Sequence, residues 1–171
     1  MAKLTLNKSA LQKERNALDL YKRLLPSLDL KRMQLTGELN RARDRLARDQ
    51  AALDQEKAQT VDRLPMLANR DVNLAGIVRV ESVEVGEENV VGVRLPILKR
   101  VAFDVREYSL VATPPWVDVL VDQLQKVAEL QAKASIGAER VRRLERAVRR
   151  ITQRVNLFDK ILIPTAKSNI Q

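Results

Sequence analysis

Seven arginines fall close together near the end of the chain: Arg140, Arg142, Arg143, Arg146, Arg149, Arg150 and Arg154, offset locally only by Glu139 and Glu145. Guanidinium groups bind carboxylate or phosphate oxygens, so such a cluster suits an acidic protein partner or a phosphate backbone. The plainer reading is the solvated flank of a coiled coil, and the shortage of nearby acids favours a partner without naming it. Carboxylate pairs also occur, Glu87-Glu88 and Glu81/Glu84. They sit in or beside a turn signal and read as solvated surface, not as an acid/base pair. The chain has no histidine and no cysteine, which removes His-based catalysis, thiol nucleophiles, disulfides and Cys/His zinc sites. Five glycines form neither a P-loop nor a dinucleotide fingerprint. No catalytic residue, metal ligand or cofactor is expected.

The elements that carry these side chains follow from composition. Of 171 residues, 45% are hydrophobic but only 3% aromatic, and 31% are charged. A thin aliphatic core in long helices is the expectation. The net charge of +9 is uneven. Residues 1–63 hold 14 Lys/Arg against 9 Asp/Glu, residues 64–113 hold 6 against 7, and residues 114–171 hold 11 against 6. Both ends are basic and the middle is not. The N-terminus lacks the apolar run of a signal peptide, and no uncharged stretch approaches the ~20 residues that cross a bilayer.

A 3-4 repeat from position 4 to position 60 carries Leu4, Leu11, Leu18, Tyr21, Leu25, Leu28, Leu35, Leu39, Ala42, Leu46 and Leu53. Heptad spacing of this length marks a coiled-coil seam. Thr5 or Asn7 is placed to cap the helix and Pro65 to end it; 4–62 would span roughly 90 Å. Pro26 lies inside and predicts a kink without an end. The last segment repeats the pattern through Leu120, Leu124, Val127, Gln131, Ala134, Ala138 and Val141. After two consecutive three-residue steps it resumes at Leu144, Val148, Ile151, Val155, Phe158 and Leu162, a phase slip resembling a stammer. "TPPW" (113–116) opens this helix, Trp116 reads as a packing anchor, and Ile163-Pro164 reads as its stop.

One long helix cannot bury a stripe alone. The expected fold is therefore mainly α: an antiparallel two-helix coiled coil of the N- and C-terminal helices around a small β-hairpin-containing insertion. Its parts would be 1–64, 65–112 and 113–171. Gly37 is expected to meet Gly137 at a thin waist. In the insertion, "GIVRVESVEV" and "VVGVRL" are β-branched runs joined by "GEEN", read as the hairpin turn, and 100–108 reads as a possible third strand. An isolated hairpin is marginal in water, so it should pack on the coil or on a partner. Asn156, beside a seam position, suits either register specification or a partner contact.

Three stretches together resemble the family of the central-stalk D subunits of V-type and A/V-type ATPases. They are "RVNLFDKILIPTAKSNI" (154–170), "NKSALQKERNALDLYKRLLPSLDLKRMQL" (7–35) and "VVGVRLPI" (90–97), in the family's order and spacing across the whole chain. Gln153, Phe158-Asp159 and Pro26 depart from the family's usual residues. The resemblance implies a rotor shaft without an active site, transmitting torque between ATP hydrolysis or synthesis in a catalytic head and ion translocation in a membrane ring. It implies contacts with the A and B subunits of the head at a shaft tip comprising Lys8, Leu11, Arg150, Arg154, Asn156, Ile163 and Pro164. It further implies a lower part that meets the stalk's F subunit and a funnel-shaped subunit on the rotor ring, and a cytoplasmic, membrane-peripheral location. Leu18, Leu25, Leu28, Leu35, Leu39, Leu46, Leu124, Val141, Leu144, Val148, Ile151 and Val155 would form the seam. Gly86, Val91, Gly92, Val93 and Pro96 would form the hairpin, which in the family influences ATPase activity.

Two other readings compete. A nucleic-acid-binding coiled coil would use the +9 charge, but one Trp, two Tyr and two Phe give little for bases to stack on. A scaffold or membrane-surface adapter would need a one-sided lipid face, whereas these arginines share their helix with a seam.

Overall fold

A computed structural model describes residues 8–63, 74–108 and 114–170. Helix α1 runs Lys8–Arg63, strand β1 Val78–Val90, strand β2 Val93–Val105 and helix α2 Trp116–Leu157. A π-helical turn over Phe158–Leu162 leads into α3, Ile163–Ile170. Leu4, Thr5, Asn7 and Pro65 lie outside the described residues. The chain divides into two compact units, one of residues 1–39 with 144–171 and one of residues 40–143. Helix α1 continues through Pro26 although that residue supplies no N–H to the hydrogen-bond ladder.

In the unit that holds both chain ends, α1 packs against the C-terminal helical segment. Tyr21 and Phe158 meet edge to face, with ring centroids 5.4 Å apart and planes at 81°. Leu35, Leu39, Leu144, Ile151, Val155, Ile163 and Ala166 are buried, and Leu18, Leu25, Leu28 and Val148 are half-buried. The helix does not stop at Ile163-Pro164. The Ile163 N–H reaches back to the Phe158 carbonyl, five residues earlier, and the path continues to Ile170. Proline cannot donate to the ladder and its ring crowds the carbonyl four residues back. The wider π turn ahead of it absorbs that defect by inserting one residue into the helical count. The seam shifts accordingly. Seven residues beyond Val155 stands Leu162, the seam position expected from the heptads, and it is only half-buried. Ile163, one further, takes the core place.

In the other unit the pairing is fixed by three contacts. Lys57 Nζ donates to Gln131 Oε1 at 3.4 Å, Lys133 Nζ pairs with Asp49 Oδ1 at 3.0 Å, and Gly137 approaches Leu46. Numbers rise on α1 as they fall on α2, so the segments are antiparallel. Ala42, Leu53, Leu120, Val121, Ala134 and Val141 are buried, and Leu46 and Leu124 are half-buried. Gly137 does not meet Gly37: a Cβ at Gly137 would lie 3.4 Å from Leu46 Cδ1, while one at Gly37 would have no neighbour within 4 Å. The large Leu46 fills the space beside the small residue, a complementary fit.

The hairpin pairs β1 and β2 antiparallel from Val78↔Val105 to Val90↔Val93. Its turn is Val91-Gly92, not "GEEN", which lies within β1. Both turn residues have positive φ, 52° and 80°, the requirement of a two-residue turn whose twist matches the strands. The Asn89 side-chain oxygen accepts from the Gly92 N–H at 2.8 Å and closes the turn. The expected third strand is the second half of β2, since Pro96 interrupts neither the pairing nor the chain direction. Pro is tolerated because each strand of a two-stranded sheet is an edge.

The hairpin packs on α2. At its base, Ile77, Val117 and Val121 form a buried cluster with Leu74, Val78, Val105, Tyr108, Trp116 and Leu124 against it. The Tyr108 hydroxyl donates to Asp118 Oδ1 at 2.6 Å. That bond, then burial and the Asp118 and Asp122 charges, raises the tyrosine above its ordinary value of 10.0. At the tip, Leu95 is fully buried, Glu88 pairs with Arg140, and Glu87 pairs with Arg143 at 3.7 Å. Base and tip contacts are some 26 residues apart on α2, about 39 Å of helix. Twelve strand steps span about 40 Å, so the hairpin lies along the helix.

Candidate functional site

The unit holding both chain ends contains 14 Lys/Arg and 6 Asp/Glu, a net charge of +8; the other contains 17 and 16, a net of +1. Nearly all the excess charge therefore belongs to one unit. Within it Arg149, Arg150 and Arg154 are exposed and make no ion pair among the described residues. Arg140 and Arg143 belong to the other unit and turn to the hairpin. Arg143 also donates to Glu139 at 3.1 Å and to the Arg94 carbonyl at 3.2 Å. Two of the carboxylates read as solvated surface, Glu87 and Glu88, are thus partners of Arg143 and Arg140, while Glu81 and Glu84 are exposed. Sequence reasoning missed this because the two groups lie some fifty residues apart.

Lys8, Leu11, Arg150, Arg154, Asn156 and Pro164 are exposed. Ile163 is 9% exposed and packs inward, so of the Ile-Pro pair only Pro164 presents surface. Asn156 points to solvent while Val155 beside it is buried, which removes it from the seam. In the hairpin, Gly86 and Pro96 are buried and Val91 and Val93 half-buried.

Among the exposed apolar residues outside the heptad reading, four lie near the Tyr21–Phe158 contact: Leu20, Leu24, Leu157 and Ile161, each 40–55% exposed. The Tyr21–Phe158 contact puts them at one height. Leu20 and Leu157 each precede a ring residue by one, and Leu24 and Ile161 each follow by three. In an antiparallel pair, equal offsets from the seam fall on the same side. Arg154 and Arg150, four and eight residues before Phe158, follow that side along α2. The result is an apolar patch bordered by arginines, chemistry that suits a protein surface offering apolar side chains and carboxylates. The sequence signal was available: leucines off the seam phase, next to arginines with few acids nearby.

Among the described residues no group of three acidic side chains could hold a metal ion, and no helix is long and apolar enough to cross a membrane.

Residues 10–171 match the family model for the D subunit of ATP synthase. The chain is 31% identical over 172 residues to the V-type ATP synthase D subunit of Borreliella burgdorferi, covering 100% of this chain and 84% of the relative. It is 34% identical to the protein of that name from Chlamydia muridarum (99% and 85% covered) and 32% identical to that of Chlamydia trachomatis serovar L2 (99% and 85% covered). A match of this extent leaves the long helices, the hairpin and the C-terminal segment all within one family pattern, and the chain belongs to the family of ATP synthase D subunits.

Proposed function

We propose that this chain is the rotor shaft in the central stalk of a V-type ATPase or ATP synthase, a non-catalytic part that carries torque between the catalytic head and the membrane ring. The observation that carries this reading is family membership over the whole chain. The physical features agree with the task. A shaft must resist bending and twisting, and paired helices with a long aliphatic seam supply that stiffness. It must also be asymmetric, and Pro26, the phase slip before Leu144 and the hairpin on α2 all break its symmetry.

The parts divide as 1–64 and 113–171 for the two shaft helices and 65–112 for the flank insertion. The unit of charge +8 faces the A and B subunits of the head through Lys8, Leu11, Arg150, Arg154, Asn156 and Pro164, with Ile163 supporting them from the core. The nearly neutral unit with the hairpin meets the F subunit of the stalk and the funnel-shaped subunit of the rotor ring. The chain works on the cytoplasmic face as a peripheral component. A tagged chain recovered from nuclease-treated extract at moderate salt should bring down large ATPase subunits and a small stalk partner. Deleting residues 154–171 should abolish recovery of the large ones. Recovery of nucleic-acid proteins alone, lost after nuclease, would overturn the reading in favour of a basic nucleic-acid binder.

A further inference from the structure

We propose that the hairpin tip, residues 86–97, is a latch that releases from α2 on its own, turning about the irregularity beside Gly86 while the hairpin base stays anchored. The two ends of the hairpin are held by different forces. The base is apolar, with Ile77, Val117 and Val121 buried together and the Arg106 N–H bonded to the Ile77 carbonyl at 2.9 Å. Between base and tip, every β1 residue from Arg79 to Val85 is exposed, and on β2 Leu98, Val101, Ala102 and Phe103 are only half-buried, so no fully buried residue joins the two ends. The tip is held by Leu95, by Glu88–Arg140 and Glu87–Arg143, and by Arg143 on the Arg94 carbonyl. Both acids are substantially exposed, 41% and 56% at the side chain, so salt weakens these pairs.

The hinge is built into the pairing. Glu84 opposes Arg100 and Val85 opposes Leu98, which leaves Lys99 as the extra residue of a bulge. Gly86 follows directly, and the Lys99 stem fills the space a side chain would occupy: a Cβ there would lie 2.5 Å from Lys99 Cε and 3.2 Å from Ile97 Cγ1. The open state also has a partner waiting. Arg143 already touches Glu139, one helical turn away, so losing Glu87 does not strand its charge. Release would uncover Leu95, Arg140 and Arg143 together and change the surface this unit offers.

Amide hydrogen exchange on the full chain tests the latch. In Glu87→Gln/Glu88→Gln, amides of residues 90–95 should exchange at least ~5-fold faster, while those of 78–80 and 101–105 change by less than about 2-fold. Raising salt from about 50 mM to about 500 mM should move the parent chain the same way. The chain has no cysteine, so Glu88→Cys/Arg140→Cys can be joined by a short bismaleimide that spans the reach of the two replaced side chains and locks the tip, and its tip amides should then exchange more slowly than the parent's. Tip and base exchanging faster together would show that the hairpin opens as one body. An unchanged tip in the Gln variant, or in the locked one, would show that it does not open separately. Either result overturns the proposal.

Discussion

The two units use the same antiparallel pairing and differ in what they place in the seam. In the unit of residues 1–39 with 144–171, the buried positions among the described residues are all apolar: Leu35, Leu39, Leu144, Ile151, Val155, Ile163 and Ala166. In the hairpin-bearing unit, Asp49, Thr60 and Gln123 are buried as well. Thr60 satisfies its hydroxyl on the Glu56 carbonyl at 2.8 Å, and Asp49 finds Lys133. Asp49 costs stability and specifies register, because a slipped alignment would bury its carboxylate away from Lys133. The labour is therefore divided. One unit concentrates its charge outside a purely apolar seam, and the other places charge inside, on alignment and on holding the hairpin.

The largest effect expected from breaking this contrast is at Leu144, which is fully buried. Leu144→Ala should cost about 2–5 kcal/mol in chemical denaturation, because removed atoms leave a cavity between stiff helices. In the polar seam the sign reverses. Asp49→Leu should stabilise the chain by about 1 kcal/mol, since Lys133 is 53% exposed at its side chain and can return to water. The same variant should loosen register, visible as heterogeneous cross-links between cysteines placed on α1 and α2. A uniquely registered Asp49→Leu coil would contradict the alignment role.

The hairpin gives smaller effects. Val91 carries a φ of 52°, a conformation unfavourable for a β-branched residue and ordinary for asparagine. Val91→Asn should therefore stabilise the hairpin by about 0.5–1 kcal/mol, measured as slower amide exchange across the turn. Tyr108→Phe should give the smallest change. The tyrosine's value is raised in the fold, so its bond to Asp118 contributes fully below the unfolded value and is lost as pH rises through the raised one. The urea midpoints of parent and Tyr108→Phe should differ near pH 8 and converge in strong alkali; a constant difference would mean the bond contributes nothing.

Much of this was legible from residue spacing. Leucines at 3-4 intervals, β-branched runs and two basic ends suffice to infer two helices around a hairpin. What was not legible depends on defects and on distant pairs. The Val91-Gly92 turn was hidden because "GEEN" has stronger turn composition, yet the strand pairing runs through it. The π turn before Ile163-Pro164 was hidden because a proline usually signals an end, and only three-dimensional continuity shows the helix passing it. Glu87 and Glu88 looked solvated because nothing in a local window brings Arg140 and Arg143 beside them. The Leu46–Gly137 contact depends on the stagger of two helices, which heptads leave open by several residues.

The contrast in charge is tested most directly by moving the same charge in each unit and measuring assembly with the catalytic head. Arg150→Glu/Arg154→Glu changes exposed residues of the basic unit, and Arg45→Glu/Arg48→Glu changes exposed residues of the nearly neutral one. Their association with purified head subunits should be compared by native mass spectrometry across a salt series. The first pair should lose association by at least ~10-fold at low salt, and the second should stay within about 2-fold of the parent. Equal losses from both pairs, or none from the first, would contradict a basic unit that faces the head.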